Sequence, residues 1–62
     1  MEGNELKTLR LKVGYSQSQM AEMLGYYSKG KPNRSMIARF ENGHAKINAR
    51  IAELIKLKLG SL

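Results

Sequence analysis

The chain predicts a small all-α domain of four helices, five at most, and three observations lead there. Apolar residues recur at three- and four-residue spacing in four separate stretches. Each stretch opens beside a good helix-capping residue, and the first three stop on Gly14, Gly25 and Gly43. No stretch alternates apolar and polar residues in the way a half-buried strand would.

Helix 1 is expected over about 5–13, because Leu6, Leu9 and Val13 share one face behind Asn4, a capping residue, with Glu5 at the positive end of the helix dipole. Helix 2, about 17–24, begins with a capping box: Ser16 is followed three residues later by Gln19, with Tyr15 and Met20 spaced as a hydrophobic staple. It is expected to bury Met20, Ala21 and Leu24. Helix 3, about 34–41, follows Asn33 and turns Met36, Ile37 and Phe40 inward, with Gly43 as a left-handed stop. Helix 4, about 49–59, is capped by Asn48 and carries Ile51, Leu54, Ile55 and Leu59 on its inner side. The stretch from Tyr26 to Pro32 reads as a loop, with Tyr26 closing the core and Tyr27 exposed.

Sixty-two residues allow one domain, expected over 1–62, whose folding hides only about 60% of the unfolded surface. The absence of cysteine removes a disulfide framework or a thiolate zinc site as extra support. A second copy of the chain is then the expected source of added stability. No apolar run approaches the roughly 20 residues that span a bilayer, and Met-Glu-Gly-Asn lacks the pattern of a signal peptide. A soluble, cytoplasmic protein with no membrane partner is expected.

Eleven Lys and Arg oppose five acidic residues, for a net charge of +6. Such a balance implies an anionic partner. Most of the excess is central: Lys29, Lys31, Arg34, Arg39, Lys46 and Arg50 lie between residues 29 and 50, against Glu41 alone. One His, no Asp, no Cys and no glycine-rich phosphate loop leave no set of groups for catalysis, and no metal, cofactor or small-molecule ligand is expected.

These residues resemble the lambda-repressor-like helix-turn-helix family of phage Cro proteins and repressors, also called the xenobiotic-response-element family. The match runs through Leu9-Arg10, then Ser16-Gln17-Ser18-Gln19-Met20-Ala21-Glu22-Met23-Leu24-Gly25, then Asn33-Arg34-Ser35-Met36-Ile37-Ala38-Arg39-Phe40-Glu41-Asn42-Gly43. The resemblance implies a regulator that binds a palindromic double-stranded DNA operator as a homodimer, in a bacterial or phage-infected cell, with helix 3 in the major groove. It also implies repression in the manner of Cro. Antitoxins use the same fold to bind a toxin as well as their promoter, which is the alternative reading. The chain departs from the family in two respects. Seven residues, Tyr26 to Pro32, stand where the family has a couple, so the turn between helices 2 and 3 is expanded. The sequence also ends soon after helix 4, where many family members continue, so no sensor domain is expected.

Chemistry assigns the contacts. A helix N-terminus gathers unpaired amides and positive dipole, which makes Ser16 and Gln17 a seat for a phosphate. With Met36, Ile37 and Phe40 inward, helix 3 leaves Arg34, Ser35 and Arg39 outward and Asn33 at its leading end. Arg can donate two hydrogen bonds to guanine, and Ser suits either edge, so Asn33, Arg34, Ser35 and Arg39 form the base-reading set, with Arg39 equally suited to a phosphate. Lys29 and Lys31 can reach phosphates from the loop, or remain solvated. The resemblance places Asn42 and Lys46 on the second strand's backbone, and joins Arg10 to Glu41 in a partly buried ion pair. His44 reads as an exposed loop residue. Helix 4 is apolar around more than half its circumference, wider than the roughly 100° stripe a core helix needs, so a dimer through Leu57, Leu59 and Leu62 is expected.

Overall fold

Each of the four predicted helices forms, and the computed structural model, which describes residues 1–60, adds a short hairpin that the sequence pattern did not signal. The order is α1 (Gly3–Val13), α2 (Gln17–Leu24), β1 (Tyr27–Ser28), β2 (Lys31–Pro32), α3 (Arg34–Glu41) and α4 (Ala49–Leu59). Leu62, expected at a subunit contact, lies outside the described residues.

Local chemistry sets most of the boundaries. The Ser16 hydroxyl accepts from the Gln19 amide at 3.1 Å while the Gln19 side chain accepts from the Ser16 amide at 2.8 Å, which starts α2. Asn33 and Asn48 start α3 and α4 by accepting from the amides of Met36 at 3.3 Å and Ile51 at 2.9 Å. The left-handed backbone of Gly14 and Gly25 ends α1 and α2.

The first helix begins earlier than its sequence suggests. Glu2, not Asn4, occupies the cap, and its amide donates to the Glu5 side chain at 3.4 Å. Glycine is a poor helix residue, so Gly3 looks like a position to exclude. Its place in the first turn comes from packing: a Cβ there would stand 2.7 Å from the Glu41 carbonyl oxygen and closer still to that of Phe40. The amide end of α1 thus lies directly against the carbonyl end of α3, an arrangement the two helix dipoles favour.

The expected loop is an antiparallel hairpin, with Tyr27 opposite Pro32 and Ser28 opposite Lys31. Lys29 and Gly30 form its turn with φ of 53° and 77°, the doubly left-handed shape that suits a two-residue connection. The usual sequence signal for this turn is Asn-Gly, and Lys29-Gly30 does not carry it. The hairpin is anchored at its base, where the Asn33 amide donates to the Tyr26 carbonyl at 2.8 Å. The Tyr26 ring lies 5.8 Å from that of Phe40, centroid to centroid, while Tyr27 is exposed.

Each helix contributes one fully buried large side chain to a common centre: Leu6, Met20, Ile37 and Ile55. Such burial stabilises by about 1.5–3 kcal/mol per side chain. Ala21, Leu24, Phe40, Ile47, Ala52 and Leu59 complete the buried set. Leu59 therefore belongs to the protomer's own interior, at 5% exposure, and the expectation that it faces a second copy is corrected. An inner position and a subunit contact are both expected of Leu59, and one side chain cannot fill both: α4 turns Ile55 and Leu59, four residues apart, toward α2 and the core. Leu57 stays on the outside at 73% exposure.

Candidate nucleic-acid interface

Helices α2 and α3 pack against each other, and their exposed sides together make one polar surface. On α3 the division is clean. Ile37 and Phe40 are buried and Met36 is half-buried, while Arg34, Ser35 and Arg39 are exposed. An eight-residue helix, about 12 Å long, presents these three side chains over two turns. It is of a size that the roughly 12 Å major groove of B-DNA admits.

Asn33 stands at the leading end of α3. It is half-buried and its side-chain oxygen caps α3 through the Met36 amide. The cap leaves the second lone pair of that oxygen and both N–H groups of the side chain unused.

At the other helix, Ser16 is exposed and Gln17 half-buried. A surface cleft between the leading ends of α2 and α3 is lined by Arg10, Ser16, Gln17, Ser18 and Arg34. Ser18 and Arg10 were absent from the sequence-derived contact set. The repeated Ser-Gln of Ser16 to Gln19 was the available signal for Ser18.

Behind this surface runs a hydrogen-bond network with Glu41 at its centre. Arg10 Nε donates to Glu41 Oε2 at 2.7 Å and Arg10 Nη2 to Oε1 at 3.2 Å. Gln17 Nε2 donates to the same Oε1 at 3.3 Å, and Arg10 Nη1 donates to the Tyr15 carbonyl at 2.9 Å. The two charged side chains are 10% and 4% exposed. Four pieces of chain are tied in this way: α1, the bend before α2, the first turn of α2, and the end of α3. The Gln17 amide keeps a second N–H, so the bond to Glu41 orients it without exhausting it.

The network also shapes the field. Glu41 is the one acidic residue between residues 29 and 50, and its carboxylate is held inside by Arg10. Lys29, Lys31, Arg34, Arg39, Lys46 and Arg50 are all exposed, so what this segment presents to solvent is uniformly positive. Asn42, the C-cap of α3, is exposed as well, and the backbone turns at Gly43 with φ of 79°. His44 is exposed beside it. Among the described residues no helix is long and apolar enough to cross a membrane.

A capped helix, a turn and a second short helix with a cationic, outward polar ridge define a helix-turn-helix DNA-binding domain. Residues 6–60 match the model of the helix-turn-helix family, and the chain belongs to that family, whose members include the lambda-repressor-like and Cro domains. It is accordingly a DNA-binding transcription regulator. No match is found among curated proteins or among solved structures.

Proposed function

We propose that this chain is a Cro-type repressor that occupies a palindromic operator as a homodimer, acting in the cytoplasm at the nucleoid. In this reading α3 lies in the major groove with Arg34, Ser35 and Arg39 at base edges. Ser16, Gln17, Lys29, Lys31, Asn42 and Lys46 meet the phosphates. The observation that carries the reading is the two-sidedness of α3: its apolar face is committed to the core while three polar side chains stand free along the other. Phosphate contacts fix register and base contacts fix sequence, and this surface offers both classes side by side.

The proposed dimer joins through the outer strip of α4, where Leu57 is 73% exposed and Ile51 and Leu54 are half-buried. Blocking RNA polymerase by occupancy requires no further surface, which is why repression is the reading adopted. Selection of bound sequences from a random duplex library tests it. Two inverted half-sites with centres about 10 base pairs apart are expected. Recovery of unrelated sequences with no common motif would remove sequence-specific regulation.

The antitoxin-type reading is favoured by the same apolar strip on α4, which would then receive a toxin. Sedimentation of the pure chain at micromolar concentration separates the two. A stable dimer assigns the strip to a second copy, and a monomer leaves it to a foreign protein.

A further inference from the structure

We propose that the β1–β2 hairpin is a second DNA grip, in which Lys29, Lys31 and the Tyr27 hydroxyl hold the phosphate strand bordering the groove entered by α3. It lengthens the duplex that each copy engages. The inference rests on the DNA-binding reading above, which already gives Lys29 and Lys31 to phosphates, and deepens it by adding Tyr27 and by making the hairpin a preformed grip, for which the family's short turn has no counterpart.

Conformation supplies the first argument. Lys29 is the one non-glycine residue with positive φ among the described residues. A side chain bearing a Cβ is disfavoured there, and Asn or Gly would suit the turn better. Lysine at the tip therefore satisfies something other than the turn, and what it adds is a positive charge at the most protruding point of the hairpin.

Rigidity supplies the second. A flexible loop would lose entropy on docking, but this one is tied to the recognition helix before any ligand arrives. The Asn33 amide bonds the Tyr26 carbonyl at 2.8 Å while the Asn33 side chain caps α3, so one residue closes the hairpin and opens the helix. The Tyr26 ring is tilted 59° against Phe40, and β2 packs against α2. Side chains alternate across a strand. With Tyr26 turned inward, Tyr27 is turned outward, and it is 54% exposed.

Reach and charge supply the third. Lys31 precedes Arg34 by three residues, a span of at most about 10 Å. The major groove is about 12 Å wide. With Arg34 at the base edges, Lys31 is therefore within reach of a strand bordering the groove. From residue 23 to residue 40 the chain contains no acidic side chain, and Lys29, Lys31 and Arg34 are all exposed. An acidic peptide would also satisfy two lysines. The fixed relation of the hairpin to α3 favours instead the duplex that α3 itself engages.

The test uses the full chain and the operator obtained by selection, prepared with long flanks and trimmed to the bases that α3 specifies. The wild type should bind the long duplex at least tenfold more tightly than the trimmed one. Lys29→Asn combined with Lys31→Thr keeps turn and strand preferences while removing both charges. It should lose most of the gain from the flanks, retaining only the few-fold part that the Tyr27 hydroxyl supplies, keep the selected base preference, and lower the salt slope by about 1.8, two contacts at roughly 0.9 each. Tyr27→Phe should lose a few-fold on the long duplex alone. Lys29→Gly, which relieves the left-handed strain, removes the tip charge alone and should lower the salt slope by about 0.9. If these variants keep the wild-type salt slope and its gain from flanks, the hairpin is not a DNA grip. If the wild type prefers no duplex at all, the underlying DNA-binding reading fails first, a distinct result from variants that behave as wild type.

Discussion

At Arg10 and Glu41 a single ion pair decides whether the DNA-facing helices hold their angle. With side-chain exposures of 10% and 4%, removing one partner strands the other's charge in a nearly dry site. That loss costs about 3–5 kcal/mol. Stability runs at roughly 0.05–0.15 kcal/mol per residue, or about 3–9 kcal/mol for 62 residues, so the pair is a large share of the whole. Arg10→Met is expected to lower the urea midpoint severely, and Arg10→Met with Glu41→Leu to recover part of it, because the second change removes the stranded charge. A single mutant with the wild-type midpoint would show the pair to be dispensable. Arg34 makes a contrasting residue-scale case. Its side chain is exposed and makes no hydrogen bond among the described residues, so Arg34→Ala should leave the melting temperature almost unchanged while relaxing discrimination at one or two operator positions. A selected motif identical to that of the wild type would take Arg34 off the base-reading surface.

Among the elements, α1 and α3 show how a helix end can be set by its neighbour instead of by its own residues. Gly3 lies in the first turn of α1 because the carbonyls of Phe40 and Glu41 leave no room for a Cβ. By propensity alone Gly3→Ala should stabilise a helix by about 1 kcal/mol. Here the sign is expected to reverse: the first turn of α1 must shift away from the end of α3, and thermal unfolding should fall by several degrees, a degree of change that corresponds to about 1 kcal/mol in a domain of this size. A raised midpoint would mean that the two helix ends part easily. The hairpin is the other element whose form was hidden. Two-residue strands are too short for an alternating pattern to register, and Lys29-Gly30 lacks the Asn-Gly signature of its turn.

For the molecule as a whole, size limits what one copy can read. The protomer extends 28 × 25 × 20 Å, while successive major-groove faces on one side of DNA are about 34 Å apart. A palindrome of that spacing needs two copies. Leu57→Ser should therefore lower occupation of a full operator more than of an isolated half-site, without changing the melting temperature of the dilute protein. Equal losses on the two DNAs would exclude an assembly through this strip of α4. Leu59→Ser tests the opposite expectation, since a side chain at 5% exposure lies in the core: it should cost about 2–5 kcal/mol of stability. Mutating the two leucines together would confuse assembly with folding.

The positions of the helices were readable from the chain because capping residues and 3.6-residue spacing act locally: Ser16 with Gln19, Asn33, Asn48 and the stop at Gly25 each satisfy backbone groups within one turn. The cationic middle segment was readable for the same reason, since charge is a property of composition. Other features depend on groups distant in sequence. The bond from Gln17 to Glu41 crosses 24 positions, the place of Gly3 depends on carbonyls at the far end of α3, and the burial of Leu59 depends on how α4 lies on α2. Periodicity assigns a residue to a face of its helix. Which face meets a neighbour, and how closely, is settled by packing once all four helices share a core.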